Sequence, residues 1–151
     1  MEYIKYTAFE IAQWFLNYVQ GLAFGEDREH LTNLKLQKLL YYAQGASLGL
    51  YNRPLFEDPI VHWTHGPAVP GVYCKYSKFR NNPVVEEETF VDSFDREAAD
   101  LLTDVYEVFG CYSAYGLRRM SLEEDPLKNT EIGEVITNQS IRDYFNQHYT
   151  Y

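Results

Sequence analysis

The stretch WTHGPAVPGVY, residues 63–73, constrains the fold of this chain more than any other segment. Gly66 can adopt a φ that other residues resist, and the following Pro67 disfavours helical geometry at Gly66. Pro70 has a fixed φ and no N–H, which suits the first turn of a helix. The β-branched and aromatic run at 60–64 favours a strand. The stretch therefore predicts a strand, a tight turn and then a helix of about ten residues.

Two large aromatic side chains flank this turn. We expect Trp63 and Tyr73 to be buried on either side of it, because burial of each would contribute about 2–3 kcal/mol or more. Tyr73 would share the buried face of the following helix with Val72, Tyr76 and Phe79.

Helical periodicity predicts the first two helices. Thr7 and Glu10 have the spacing of a capping box, at the start of a helix that Gly21 ends. Thr32 is placed to cap a second helix, which ends near Gly49. The inner stripe of the second helix would consist of Leu36, Leu39, Leu40, Ala43, Ser47 and Leu50.

The same patterns predict the rest of the chain. Further helices are expected at about 95–109, with Gly110 as its cap, at 114–121 after Ser113, and at 140–147. Short strands are expected at 84–91 and 135–137. The predicted fold class is therefore mainly α (α+β): one compact helical domain over residues 1–151, with two or three short strands.

Composition limits the class of protein. A chain of 151 residues that is 46% apolar can bury a core within one domain. No apolar run approaches the roughly 18 residues that cross a bilayer, and we see no secretory signal at the N-terminus. Cys74 and Cys111 lie far apart, so we expect both to be reduced and at least partly buried, in a cytoplasmic protein. A disulfide between them is the alternative.

The negative charge is concentrated in one segment. Residues 86–107 hold nine acids against Arg96, a net charge of −8 in a chain whose total is −9. Such a field repels phosphate and attracts basic surfaces, so direct binding to nucleic acid is disfavoured. A solvated helix face is the default interpretation, and partner binding is the alternative. Four of the acids follow helical spacing and are called the acidic stripe: Glu97, Asp100, Asp104 and Glu107.

A metal site could be built around two histidines. His62 and His65 are three residues apart, and Cys74 and His30 could join them. However, side chains three apart in a strand point to opposite faces, and a metal needs three or four convergent ligands. We therefore expect no metal and no cofactor.

Catalytic motifs are also absent from the sequence. No Ser or Cys lies in a nucleophile motif such as G-x-S-x-G. Glu57 and Asp58 are adjacent acids in a loop, where such pairs are usually solvated. We expect no catalytic residue, and hence no enzyme.

The segment from Leu31 to Phe79 resembles the Panacea domain family, which includes SocA-like antitoxins and phage-associated GepA-like proteins. The family pattern is an L-x-L-Q-K-L-L-Y-Y helix, then P-L-F, then an aromatic residue followed by a G-P-V–x–P–x–x–Y turn. Here Ala68 stands between Pro67 and Val69 and spreads the G-P-V. The motif residues singled out in this chain are Gln37, Lys38, Tyr41, Trp63, Gly66, Pro67, Val69 and Tyr73.

A second block, at residues 112–129, resembles the family's T-H-x-E-x-P-W sequence. Leu122 and Leu127 occupy the histidine and tryptophan positions, whereas Glu124 and Pro126 are retained.

The resemblance implies an antitoxin, which binds a toxin encoded nearby and blocks it. An ATP-dependent protease would be a second partner if the protein acts as an adaptor. The alternatives are a phage accessory protein that binds a host protein, and a small hydrolase that uses residues 57–66. We interpret Gln37 and Lys38 as a polar pair that bonds a turn or helix end, with partner contact as the alternative. Tyr149 and Tyr151 are expected to be exposed, and could serve an interface.

Overall fold

The computed structural model describes residues 4–22, 31–85 and 94–149. Within these ranges the protein is mainly helical with a small antiparallel sheet, as predicted. No helix there combines the length and apolarity needed to span a bilayer. The elements are α1 (Ala8–Leu22), α2 (Asn33–Tyr51), β1 (Ile60–Trp63), β2 (Gly66–Ala68), α3 (Pro70–Tyr76), a 3₁₀ turn (Ser77–Phe79), α4 (Arg96–Phe109), α5 (Ala114–Leu122), α6 (Asp125–Lys128), β3 (Val135–Ile136) and α7 (Asn138–His148).

The predicted helix starts are confirmed by their caps. The Thr7 N–H donates to Glu10 Oε1 at 2.9 Å, and the Glu10 N–H donates to Thr7 Oγ1 at 3.1 Å, which completes a capping box. Thr32 Oγ1 accepts from the N–H of Lys35 at 3.2 Å. Ser113 likewise caps α5.

Both predicted glycine stops are wrong. α1 continues through Gly21 to Leu22, and α2 passes Gly49 and ends at Tyr51. One glycine costs a helix only about 1 kcal/mol, which is too little to end either helix. α2 is instead terminated by Asn52, whose φ of +54° is left-handed.

α2 is the central helix and is buried on most of its circumference. It packs against α1, α3, α4, α5, α7 and β2. Most of its predicted inner stripe is buried, but Leu50 is 38% exposed and does not belong to it. α4 follows the prediction more closely, with its inner face buried and Gly110 at its end: Ala98, Leu101, Leu102, Val105 and Phe109.

The sheet has the strand order β2-β1-β3 and is antiparallel throughout. Val61 stands opposite Ala68 on one side and Val135 on the other. β1 and β3 were predicted, whereas the three residues of β2 were too short to be recognised. The strand expected at 84–91 does not begin at Val84 or Val85, and its remaining residues lie outside the described ranges.

The 63–73 stretch forms the predicted strand, turn and helix. Gly66 has a φ of +102°, and Pro70 occupies the first turn of α3. The expected burial of Tyr73 is wrong, because Val72 and Tyr76 form the buried face of α3 and leave Tyr73 37% exposed. Trp63 is half-buried and meets Tyr73 edge to face, with ring centroids 5.1 Å apart. Replacement of Tyr73 should therefore cost less than a core aromatic would.

The two cysteines also differ from expectation. Cys74 and Cys111 are free thiols, as predicted, but both are exposed rather than partly buried. Cys74 follows Tyr73 on the outer side of α3, and Cys111 lies just beyond the end of α4.

α2 and α7 approach each other closely at a glycine. The ring of Phe145 lies directly against Gly45, where a Cβ atom would overlap it. A Cβ atom at Gly49 would lie 3.1 Å from the Cβ of Phe145. Gly45 and Gly49 therefore allow the α7 backbone to pack closely against α2 while Phe145 remains buried.

We expect Gly45→Ala to lower the free energy of unfolding by about 1–3 kcal/mol in urea, because the added methyl group displaces Phe145. Gly21→Ala is the matched control, since a Cβ there meets nothing within 4 Å. Alanine's higher helix propensity should leave that variant unchanged or up to about 1 kcal/mol more stable. Equal free energies of unfolding for the two variants would show that α2 and α7 do not pack tightly at Gly45.

Candidate functional site

The motif residues of α2 are hydrogen-bonded to the turn before α3. Gln37 Oε1 accepts from the Val69 N–H at 2.8 Å, and its amide group donates to Asn33 Oδ1 at 2.9 Å. Asn33 Nδ2 in turn donates to the carbonyl of Tyr73 at 3.0 Å. All of these polar atoms are used within the fold, which agrees with the interpretation of Gln37 as a group that bonds a turn.

Lys38 lies beneath the same turn and is 1% exposed. Its ammonium group donates to the carbonyl of Pro67 at 3.0 Å. Burial, reinforced by the charge of Arg118, lowers the pKa of Lys38 to about 7. Gly66 has the φ that favours glycine, and a Cβ there would also crowd Lys38 Cε and Ser121 Oγ at 3.1 Å from each.

These groups form one wall of a cleft, here called the motif cleft, with a volume of about 310 Å³. The cleft opens between the start of α2 and the turn that leads into α3. Trp63 and Tyr73 contribute aromatic surface, and Arg80 and Asn81 close it from the far end of the 3₁₀ turn. Four of the motif residues singled out in the sequence therefore border one cleft: Gln37, Lys38, Trp63 and Tyr73.

The second motif block supplies a buried carboxylate. Glu124 accepts hydrogen bonds from the hydroxyl groups of Tyr41 at 2.8 Å, Tyr42 at 3.0 Å and Tyr149 at 2.9 Å. Burial raises the pKa of Glu124, and the three hydroxyl donors oppose that rise. Burial and the Glu124 charge together raise the pKa of Tyr41 well above its ordinary value.

Glu124 was missed as an important residue because it stands in the acidic run Glu123–Asp125, which resembles solvated surface. Its retention in the second motif block was the available signal. The prediction that Tyr149 is exposed is only partly right, because 36% of the residue is exposed while its hydroxyl reaches the buried carboxylate. Tyr151 lies outside the described residues.

The histidines do not converge. His62 is buried in β1 with Nδ1 2.7 Å from the carbonyl of Thr130, whereas His65 is exposed. His30 lies outside the described residues. Among the residues that are described, no three metal-ligating side chains gather into one group.

The two loop acids separate as well. Asp58 Oδ1 accepts the N–H of Ala8 at 2.9 Å, so it ties the loop to the start of α1, and Glu57 is exposed.

All four residues of the acidic stripe are exposed on α4. Glu97 pairs with Arg53, and Asp100 lies 3.8 Å from Arg96. Both pairs are largely solvated, so they contribute little to stability. The stripe is therefore a solvated face in the free protein, and its four carboxylates remain accessible.

An apolar groove of about 120 Å³ runs beside the stripe, between α2, α4 and α7. Its sides include Leu50 and Val108, which are 38% and 54% exposed, and Asp104 of the stripe stands at its edge. We call this surface the stripe groove.

The described part of the chain is thus a mainly helical domain with a buried polar motif and an accessible acidic and apolar surface. The profile of the SocA-like antitoxins with a Panacea domain matches residues 36–126, and the chain belongs to that family. No curated protein and no solved structure matches the chain significantly.

Between about pH 7 and pH 9, we expect the free energy of unfolding of the wild type to increase by about 1–2 kcal/mol more than that of Lys38→Met. In this window the unfolded chain, with an ordinary lysine pKa of 10.5, keeps a proton that the folded protein loses near pH 7. Urea unfolding at both pH values measures the difference. The free energy of unfolding of Lys78→Met, at an exposed position, should change with pH as that of the wild type does. The same pH dependence in Lys38→Met would contradict the prediction.

Loss of one hydroxyl from the Glu124 cluster should also be costly. Tyr42→Phe is expected to lower the free energy of unfolding by about 1–3 kcal/mol at about pH 7. The loss should be smaller at about pH 4, because a missing donor raises the pKa of Glu124 further and a protonated carboxyl depends less on donors. Thermal or urea unfolding measures both values. Tyr115→Phe, at a 61% exposed position, is the control and should have no effect.

Proposed function

We propose that this protein is an antitoxin that neutralises a toxic partner protein by direct binding, in the cytoplasm and without catalysis. Membership of the SocA-like family supports this class of function. The observation that carries the proposal is the juxtaposition of the acidic stripe with the stripe groove.

The surface combines two kinds of contact. Leu50 and Val108 present apolar side chains that are exposed to solvent in the free protein. Beside them α4 presents carboxylates over about three helical turns, from Glu97 to Glu107. A complementary partner surface would insert apolar side chains into the groove and place Lys or Arg along the stripe.

A basic partner surface suits toxins that act on RNA or nucleotides, since binding phosphate requires Lys and Arg. An acidic cover over those residues would block them in the way that a substrate's phosphates would occupy them. Close charge pairs at interfaces can couple by roughly 1.5–7 kcal/mol, whereas pairs at the rim mainly accelerate encounter and weaken with salt.

The motif residues are less suited to that contact. Gln37 and Tyr41 are almost completely buried, and the hydrogen bonds of their side chains are made inside the protein. Their replacement would disturb the fold before it disturbed an interface.

Charge reversal tests the proposal. Replacement of all four stripe residues by Lys should weaken the complex with the product of the adjacent gene by at least about 10-fold, most strongly at low salt. The fold should persist because the face is solvated, which circular dichroism would verify. Affinity is measured by calorimetry at two salt concentrations, and rescue of growth by co-expression with the adjacent gene.

A matched control separates the site from net charge. Four other exposed acids, reversed together, change the charge equally and should leave the affinity nearly unchanged: Glu57, Glu123, Glu131 and Glu134. Equal weakening by both sets would remove the stripe from the interface. Failure to rescue growth from any adjacent gene product would count against the antitoxin function. Loss of the toxin on co-expression, in place of a stable complex, would indicate a protease adaptor.

A further inference from the structure

The chain is polarised in charge, and a segment without acidic residues contributes to the motif cleft. Residues 59–85 contain Lys75, Lys78 and Arg80 and not one acidic residue, although the whole chain has a net charge of −9. Arg80 lines the cleft, and Lys38 joins it from α2. Among the described residues that line the cleft, none is acidic. The cleft is therefore a local positive site in an acidic protein.

Lys38 is a buried amine whose protonated form has donors to spare. An ammonium group carries three N–H bonds, and within the described part of the chain Pro67 accepts from one of them. The amide oxygens of Asn33 and Gln37 accept from the Gln37 amide and the Val69 N–H, and Asn33 donates to the Tyr73 carbonyl, so these bonds lie within the network of α2, α3 and its turn. A charged group that is 1% exposed is costly to bury, and an anion in the cleft would offset that cost.

Arg80, which lines the cleft, has an unfavourable backbone conformation. Its φ is +52° and its ψ is −122°, a region that residues other than glycine rarely adopt. Strain of this kind persists where the surrounding structure enforces it, and it is concentrated at functional sites. The N–H of Arg80 donates to the carbonyl of Ser77 at 3.0 Å, which fixes the turn that places Arg80 beside the cleft.

The same cleft presents aromatic surface. Trp63 is half-buried and Tyr73 is 37% exposed, and their rings meet edge to face. Ring faces left partly open beside cations favour a planar ligand, since stacking is tolerant of ring identity. The volume of about 310 Å³ is at the lower end of the range for small-molecule sites.

We propose that the motif cleft binds a small organic anion that carries a planar ring, with the anionic group at Lys38 and Arg80 and the ring against Trp63 and Tyr73. A phosphate or a carboxylate satisfies the same donors, and a nucleoside monophosphate has both required parts. This inference does not depend on the antitoxin function or on the acidic stripe, which lies on α4. The pKa of Lys38, lowered to about 7 by burial, would rise when the anion binds.

The test uses Trp63 as its own reporter. The chain has two tryptophans, so Trp14→Phe leaves Trp63 as the sole one. This protein is titrated with adenosine monophosphate and with benzoate, which distinguish a phosphate from a carboxylate, and with inorganic phosphate and adenosine, which each lack one part. Saturable binding of at least one of the two ringed anions is expected, about 10-fold or more tighter than either partial ligand. Calorimetry on the full chain confirms each titration.

Two variants locate the site. Arg80→Gly removes the guanidinium and suits the left-handed backbone, so it should fold at least as well and bind about 10-fold more weakly. Lys38→Met should weaken binding similarly. Lys78→Ala, an exposed neighbouring cation that does not line the cleft, should bind as the parent does. The proposal would be overturned if neither adenosine monophosphate nor benzoate bound saturably. It would also be overturned if inorganic phosphate alone bound as tightly as these ligands, or if Arg80→Gly bound them as tightly as the parent does.

Discussion

A helix that is buried on most of its sides must hydrogen-bond every polar side chain it carries, and α2 carries many. Desolvation of an unpaired amide or ammonium group would cost more than most single contacts contribute. Lys35 meets this requirement by donating to the carbonyl of Gly110 at 2.6 Å. Gln44 meets it by accepting from the N–H groups of Leu55 and Phe56 and donating to the Phe56 carbonyl. The rest of the architecture is arranged around these bonds.

The polar side chains of α2 attach four different parts of the chain. Lys35 holds the end of α4, Gln37 and Lys38 hold the turn before α3, and Gln44 holds the loop at residues 55–56. Tyr41 and Tyr42 hold Glu124 at the junction of α5 and α6. The interior polar groups therefore decide where the irregular segments lie, while the apolar cluster supplies the general driving force for burial.

Local features of the sequence predicted local features of the structure. Thr7, Thr32 and Ser113 cap helices because capping needs only neighbouring residues, and the α4 face follows from its own periodicity. Several failures involve distant partners: the exposure of Leu50 and Tyr73, the course of α2 past Gly49, and the burial of Glu124 depend on what packs against them. The candidate site was found in part, because the motif residues were identified but their gathering around one cleft requires the tertiary fold.

The inward direction of the motif has a consequence for how such proteins diversify. Gln37, Tyr41 and Glu124 make their side-chain hydrogen bonds inside the molecule, so they preserve the scaffold and place no demand on which partner protein binds outside. Exposed positions such as Leu50, Val108 and the α4 carboxylates can then change without disturbing the frame. Two proteins with the same interior signature could in this way bind unrelated partners, and a shared signature would report common ancestry of the frame rather than common targets.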